Sequence, residues 1–508
     1  MKKLETRSFN IFRNATISIF CQFIAIVMGF VCRKALIQSL GLAYIGVTSL
    51  FSSIISLLSF VELGIGNAIV YSLYKPIADN DQKVISSYIR YYKKLYTIIA
   101  IVIFSIGSCA VPFIPNLVSI DYGIKENVYL MYFLTLAATS CTYLFASQKT
   151  LLIADQKQYI EKIVYQICHV IQITCQIVVL VKFKNYYLYL ILQIIFALVN
   201  NITSALIVTQ KYTFLKNEST RISKDRKINL FSDVKCIFLY KIGSSFLNYI
   251  TNIFISYFCG LVILGKIANY ILVLSTLSAV ISQVTSAFSA SVGNKRVSEN
   301  GKNGDATFFK SLFVTVWIAG FFFTGYLLFA NPLLTILYGK DCLVEYNIVF
   351  IIGLLYFVQD VHSISTIYRY SLGVFKKGKF APLIASVINI VLSYVFYKLI
   401  GIPGLYVSTI ISRVVTLGIS DSYLINGDRK GVLAYFRQMV IYMSVLFSIF
   451  IPAYYISSKF IFSNMFILLI GALVFTVMFN LIWIMIFCKT DNFRYIISKI
   501  KPILKHNT

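Results

Sequence analysis

Long apolar segments recur along the whole chain, and they constrain the fold more than any other feature. A backbone inside lipid must satisfy its amides within the segment, so a helix needs about 20 apolar residues to cross the hydrocarbon core. We therefore expect an all-α integral membrane protein, because 58% of the 508 residues are hydrophobic and only 13% charged. The sequence predicts fourteen spans, at Ile11–Ser39, Ala43–Leu73, Leu95–Pro112, Val128–Ser147, Ile163–Val181, Tyr186–Val208, Ile237–Phe258, Ile263–Val292, Phe308–Ala330, Ile348–Ser371, Pro382–Ile400, Leu405–Leu424, Met439–Ser457 and Phe460–Cys488.

The basic residues of the loops predict the orientation. With the N-terminus in the cytoplasm, 34 of the 46 Lys and Arg fall on cytoplasmic connections and nine on the outer side. This asymmetry predicts cytoplasmic N- and C-termini. The net charge of +27 is spread over many loops, so it favours contact with anionic lipid headgroups and not with a nucleic acid.

Motifs for catalysis or cofactor binding do not occur in the sequence. There is no G-x-x-x-x-G-K-[ST] loop, the three histidines lack metal-ligand spacing, and the ten cysteines form no C-x-x-C pair. Asp341 and Glu345 in the longest outer interval fit solvated loop acids better than a catalytic pair. We expect no enzymatic activity, no metal and no cofactor.

The longest polar interval between spans divides the chain. We predict an N-lobe of six spans at 1–210, a cytoplasmic linker at 211–236, a C-lobe of six spans at 237–424, and two further spans with an amphipathic cytoplasmic tail at 425–508. A shift of 219 residues places Gly41, Leu42 and Gly46 on Gly260, Leu261 and Gly265. The two lobes are thus expected to be a parallel pseudo-repeat, as in transporters that alternate access by rocking two halves.

Ionisable residues inside the predicted spans mark the candidate site, since each costs about 2.5–3.5 kcal/mol at the membrane centre unless it faces a cavity or a partner. Five cations against two acids predict a chamber for an anion, with Arg33, Lys34 and Arg413 as the main contacts. The full set is Arg33, Lys34, Lys241, Arg369 and Arg413 with the acids Glu62 and Asp360 and the neutral His362.

Several of these residues have a second interpretation. Arg33, Lys34, Lys241 and Arg369 lie towards span ends and also fit side chains that reach the headgroups. Asp360 and His362 also fit a structural network with Arg369.

Glu62 fits a structural latch as well as a gate. In a hairpin around Gly41, Arg33 comes level with Ser49, and Glu62 lies about 20 Å further along the helix, so a direct pair with Arg33 is not expected. We assign Glu62 with Gly64, Gly66 and Asn67 in the same segment, and Asp360, to gating or structure.

Several strings of residues resemble one family of membrane transporters. They are Gly41 to Gly46, Glu62 to Ala68, Tyr71 to Ala78, Leu151 to Lys157 and Lys241-Ile242-Gly243. These strings resemble the polysaccharide transporter family, the Wzx-type O-antigen and capsule flippases of the multidrug/oligosaccharidyl-lipid/polysaccharide (MOP) exporter superfamily. Arg33-Lys34-Ala35 also resembles the Arg-Asp-Ala of lipid II flippases, where the arginine lines the cavity; here Lys34 replaces the acid.

The resemblance implies a flippase that moves undecaprenyl-diphosphate-linked oligosaccharide repeat units from the inner to the outer leaflet, in a bacterial plasma (inner) membrane. It implies a lipid-linked oligosaccharide substrate, contact with membrane lipid, and a polysaccharide polymerase and glycosyltransferases of the same pathway as partners. Three alternatives stay open. They are a cation-coupled multidrug exporter of the same superfamily, a membrane glycosyltransferase or polymerase, and a non-transporting scaffold.

Overall fold

The chain is helical wherever its backbone is regular within the part that the structure describes, and no strand occurs there. It forms two compact units, Met1–Gly265 and Lys266–Thr508. The predicted lobe boundary at 211–236 stays a prediction. The structure is a computed structural model that describes residues 2–58, 65–118, 124–144, 146–216, 224–298, 304–371, 378–426, 429–460, 462, 464–495 and 497–498.

Unit 1 holds the described helices up to the first turn of α11. Short 3-10 turns follow α4 at Val111–Phe113 and α9 at Thr213–Lys216. The helices are α1 (Lys2–Leu40), α2 (Leu42–Leu58), α3 (Ile65–Ala78), α4 (Gln82–Ser108), α5 (Ile114–Leu117), α6 (Val128–Tyr143), α7 (Ala146–Ala154), α8 (Gln158–Phe183), α9 (Tyr186–Lys211), α10 (Lys224–Cys259) and the start of α11 (Leu261–Ser298).

Unit 2 holds the rest of α11 and the helices that follow it. A π-helical turn at Arg413–Gly418 connects α15 to α16 without a loop. The helices are α12 (Gly304–Tyr338), α13 (Tyr346–Ser371), α14 (Ala381–Ile400), α15 (Ile402–Ser412), α16 (Ile419–Asn426), α17 (Arg429–Ser457) and α18 (Met465–Phe487).

Many of these helices are long and apolar enough to cross a membrane. Among the described residues eleven qualify by length and composition, or twelve if the bent pair α6–α7 is one span. The chain is a multi-pass membrane protein, and the predicted all-α fold class is confirmed. The number of fourteen spans stays a prediction. The middle of predicted span 2 (Ala43–Leu73) lies outside the described residues, at 59–64, and its continuity stays a prediction.

Two glycines allow the starts of α2 and α11 to cross in backbone contact. A Cβ added to Gly46 would lie 2.0 Å from the carbonyl oxygen of Leu261, and one added to Gly265 would lie 2.2 Å from that of Leu42. These are the residues that the 219-residue shift superimposes. Each half of the repeat therefore presents its glycine to the leucine of the other half, and only a residue without a side chain fits at this distance.

An aromatic cluster holds α18 against α12 in unit 2. Trp483 has no exposed surface and stacks on Trp317, with ring centroids 6.5 Å apart. The Trp317 indole N–H donates to Asn480 Oδ1 at 3.1 Å, which satisfies its one donor inside an apolar contact. Phe493, at the start of the predicted amphipathic tail, is buried against Trp317 at 5.9 Å.

Candidate functional site

The predicted site residues of unit 1 differ in their exposure. On α1, Cys32 and Ala35 are buried, Arg33 is half-buried and Lys34 is exposed. Successive helix positions turn by about 100°, so Lys34 lies off the packed face that carries Cys32 and Ala35. Lys241 on α10 is half-buried. The three cations thus lie on partly accessible helix faces and not in the core of the unit.

The acidic motif of span 2 lies mostly outside the described residues. Glu62 and Gly64 fall in the interval 59–64 between α2 and α3. Gly66 and Asn67 belong to the first turn of α3. The assignment of these four residues to gating or structure stays a prediction.

The Leu151 to Lys157 string forms a turn that ties three parts of unit 1 together. The Asp155 carboxylate is 2.5 Å from Lys157 Nζ and accepts a hydrogen bond of 2.5 Å from the Tyr212 hydroxyl. Asn14 of α1 donates to the Gln156 carbonyl at 3.0 Å and accepts from the Tyr159 amide at 2.8 Å. Burial, and then the hydrogen bond to Asp155, raises the pKa of Tyr212, so the phenol stays protonated as a donor.

Unit 2 contains a buried charged cluster, which we define as Asp421, His362 and Arg369. Asp421 Oδ1 accepts from Arg369 Nη1 at 3.3 Å, and Asp421 Oδ2 lies 3.0 Å from His362 Nε2. Asp421 has no exposed surface, Arg369 retains 1% and His362 9%. The carboxylate of Asp421 compensates the permanent charge of Arg369, as a charge in an apolar interior requires.

Asp421 was missed by the sequence reasoning, although a signal for it existed. It lies within the predicted span Leu405–Leu424 and is a third acid inside the spans. The ionisable residues of the spans are then five cations and three acids. The two proposed members of a structural network, His362 and Arg369, do meet, but through Asp421 of another helix.

Asp360 lies apart from this cluster on α13. Its carboxylate is half-buried and accepts a hydrogen bond of 2.8 Å from Ser278 of α11. Asp360 is two residues from His362, so the side chains of the two point to different sides of the helix.

Arg413 begins the π-helical turn and is buried, with 7% of its surface exposed. It lines a cavity of about 170 Å³ together with His362, Tyr435 and mostly apolar side chains of α13 and α17. Single π-helical turns occur frequently at functional sites, because the wider turn re-aims the side chains that it carries. The turn thus places a buried guanidinium beside one member of the charged cluster.

An apolar groove of about 400 Å³ is lined by α12, α17 and α18. Its walls include Phe329, Pro452, Ile470 and Val474, and Val474 is 53% exposed. The groove has the composition of a site for a hydrocarbon chain, and the sequence reasoning did not anticipate it because its walls read as ordinary lipid-facing residues.

No family model matches the sequence, and no curated protein matches it. Solved structures do match. The chain is similar to the lipid II flippase MurJ in an inward closed conformation, with 17% sequence identity and a TM-score of 0.62 over 93% of this chain and 99% of that one. It is also similar to an inward-facing multidrug resistance MATE transporter of the MOP superfamily, with 13% identity and a TM-score of 0.59 over 85% of this chain and 99% of that one.

A third similar structure is a MATE protein in complex with MaL6, with 12% identity and a TM-score of 0.56 over 84% of this chain and 97% of that one. At these identities the likeness establishes the fold. The chain has the fold of MOP-type transporters and flippases, which is consistent with the expectation that it is not an enzyme.

Proposed function

We propose that this protein is a flippase for undecaprenyl-diphosphate-linked oligosaccharide repeat units, moving them from the inner to the outer leaflet for the assembly of O-antigen, capsule or another exopolysaccharide. It works by alternating access through a cationic central cavity. The protein resides in a bacterial plasma membrane with both termini in the cytoplasm, and a polymerase and glycosyltransferases of the same pathway are its partners.

The observation that carries this proposal is the apolar groove of α12, α17 and α18. A substrate with a polyprenyl tail needs an apolar surface for the tail while its head crosses, and each buried CH₂ contributes about 0.8 kcal/mol. A groove of about 400 Å³ with mostly hydrocarbon walls supplies such a surface.

The basic residues support recognition of the diphosphate. Arg33, Lys34 and Arg413 are proposed to donate charge-assisted hydrogen bonds to it, with Lys241 and Arg369 in weaker roles. Among them Arg369 already binds Asp421. An inside-negative potential favours outward movement of an anion by about 2.3 kcal/mol per charge per 100 mV, so the potential itself can drive the step.

Gating is proposed for span 2 and for α13. Glu62, Gly64, Gly66 and Asn67 belong to predicted span 2, where the glycines and the intramembrane acid fit a gate. Asp360 links α13 to α11 through Ser278, and loss or gain of this bond would accompany a movement of one helix against the other.

A deletion strain tests the function. Without the protein, lipid-linked repeat units should accumulate in the inner leaflet, and the wild-type gene should clear them. Arg33→Ala combined with Arg413→Ala should not clear them at normal membrane levels of protein. Normal export by the double variant contradicts the cationic cavity, and absence of accumulation in the deletion strain contradicts the flippase function.

The groove has its own matched pair of variants. Val474→Trp fills the groove and should slow export, whereas Val477→Trp, a residue of the same helix that is 59% exposed outside the groove, should leave export unchanged. Equal export by the two variants contradicts the role of the groove.

A cation-coupled multidrug exporter is the second candidate. The observation that favours it is the presence of two carboxylates, Asp360 and Asp421, inside the spans of unit 2. Such an exporter should raise resistance to cationic drugs in a sensitive host, and Asp360→Asn should abolish the resistance.

A further inference from the structure

A polar cavity of about 450 Å³ lies inside unit 1, lined by α6, α7, α8 and α9. We call it the amide cavity, because four carboxamide side chains face it, from Gln172, Gln193, Asn200 and Asn201. Its volume falls within the range of roughly 300–1,000 Å³ that small-molecule sites occupy. Four amides in one cavity inside a membrane-spanning bundle offer both donors and acceptors without net charge.

The charges of the amide cavity balance. Lys149 of α7 and Glu161 of α8 are the two residues among its described walls that ordinarily carry a charge at neutral pH. One cation and one anion leave no net charge for a diphosphate, which needs several cationic donors. The same balance disfavours a metal ion, and no metal-binding group of three His, Cys, Asp or Glu occurs in the described part of the chain. The lining therefore fits an uncharged polar ligand.

An aromatic pair forms part of the same wall. The rings of Tyr165 and His169 stack with centroids 5.4 Å apart and an angle of 15° between their planes. A flat ring surface beside amide donors and acceptors suits a pyranose, whose ring presents C–H groups on its face and hydroxyls on its edge.

Two buried polar atoms of this wall have no hydrogen-bond partner among the described residues. Asn200 is 8% exposed, and its Oδ1 accepts no hydrogen bond from the residues that the structure describes. His169 Nδ1 is also buried and has no hydrogen-bond partner within that part of the chain. Asn201 differs, because its Nδ2 donates to the carbonyls of Cys141 and Thr142 at 2.8 and 3.1 Å. A buried polar atom of this kind calls for a ligand or water.

We propose that the amide cavity binds the glycan of the lipid-linked substrate. The amides then recognise the sugars, while the basic residues bind the diphosphate. This inference rests on the proposed function. Glu161 lies in the first turn of α8, and Gln172 is about 16 Å further along that helix. In the predicted orientation the Glu161 end faces the cytoplasm, where the repeat unit is loaded.

A cysteine already present in the wall gives a direct test. Cys168 lines the amide cavity, and Cys175 lies two turns along the same helix outside it, with a similar intermediate exposure. The purified full-length protein is treated with a maleimide, and fragment mass spectrometry measures the labelling rate at each of the two cysteines. The probe is the free oligosaccharide released by mild acid from the lipid-linked intermediates of wild-type membranes.

The glycan at ten times its Kd should slow labelling of Cys168 about tenfold and leave Cys175 unchanged. Inorganic pyrophosphate should protect neither cysteine. Gln172→Leu and Asn200→Leu should each raise the glycan concentration needed for protection about fivefold, since each replaces a hydrogen-bonding amide with an apolar side chain. Gln210→Leu, an exposed residue at the end of α9, is the matched control and should have no effect.

Two results overturn the proposal. Absence of protection at Cys168 by the glycan means a water-lined cavity only, and equal protection by pyrophosphate means an anion site. Accumulation of lipid-linked repeat units in the deletion strain is measured separately. A strain that accumulates them while Cys168 stays unprotected contradicts the glycan site and leaves the flippase function standing.

Discussion

The two units keep their helices together by different contacts. Unit 1 relies on a close backbone crossing at Gly46 and Gly265 and on neutral hydrogen bonds such as that of Asn201, whereas unit 2 buries the charged cluster around Asp421. In unit 1 the predicted cations stay on partly accessible faces, and its cavity has no net charge. In unit 2 a cation and an acid are sealed together. Charge in unit 2 is therefore compensated by a buried partner, while the cavity of unit 1 keeps buried polar atoms without a partner among the described residues.

Removal of the acid from the charged cluster should have the largest effect. Asp421→Ala leaves the Arg369 guanidinium buried without its carboxylate and should destabilise the protein by about 3–5 kcal/mol. Thermal unfolding of the purified protein measures the loss. Asp421→Ala combined with Arg369→Met removes both charges and should recover most of the stability. An unchanged unfolding temperature for the single variant would show that the cluster is not needed for folding.

The glycine crossing should come next. Gly46→Ala places a Cβ against the Leu261 carbonyl, so α2 and α11 must separate, at a cost of about 1–3 kcal/mol. The control is Gly29→Ala on α1, where an added Cβ meets no atom within 4 Å. Membrane levels and unfolding temperature of both variants test the difference. Equal stability would mean that α2 and α11 can separate to admit the added Cβ without a measurable cost.

The hydrogen bonds of Asn201 should have an intermediate effect. Its amide donates to two carbonyls in the last turn of α6, those of Cys141 and Thr142, and the Cys141 carbonyl also accepts from the Leu144 amide at 3.2 Å. Asn201→Leu should cost about 1–2 kcal/mol. Asn200→Leu, one residue away, should barely change the unfolding temperature, because Asn200 Oδ1 has no bond in the described structure to lose. The pair thus separates a structural amide from a ligand-facing one, and the reverse order of stabilities would contradict the assignment.

Removal of the ion pair between Asp155 and Lys157 should have the smallest effect. The side chains of Lys157 and Asp155 are 30% and 25% exposed, so water and salt screen their attraction. Asp155→Asn should cost less than about 1 kcal/mol, and the difference should shrink as salt is added. Unfolding at low and high salt measures it. A loss comparable to that of Asp421→Ala would remove the distinction between surface charge in unit 1 and buried charge in unit 2.

Helix positions were predictable from apolar runs, but helix starts were not. The run at Leu95–Pro112 predicted one span, while α4 begins at Gln82, where the Asp81 carboxylate accepts from the Val84 amide at 3.1 Å. Polar turns outside the hydrocarbon need no apolar residues, so hydropathy does not detect them. Capping residues such as Asp81 carry the missing signal.

The candidate site was predictable in residue type and not in partnership. An arginine within a span must have a partner or a cavity, and Arg369 proved to have the carboxylate of Asp421, which lies 52 positions away. The amide cavity draws residues from four helices, each of which looks like an ordinary polar interruption in sequence. The residue pattern along one helix does not show which face of that helix packs against which face of another.

By itself the sequence determined the membrane class, the all-helical fold and the repeated glycines, because those follow from lipid solvation of the backbone and from local residue size. Only the tertiary structure decided that Asp421 compensates Arg369, that Asn201 Nδ2 is bonded while Asn200 Oδ1 has no partner among the described residues, and that four amides line one cavity. These depend on distances between helices remote in sequence, and hydrogen bonds and ion pairs in an apolar interior are decided by such distances.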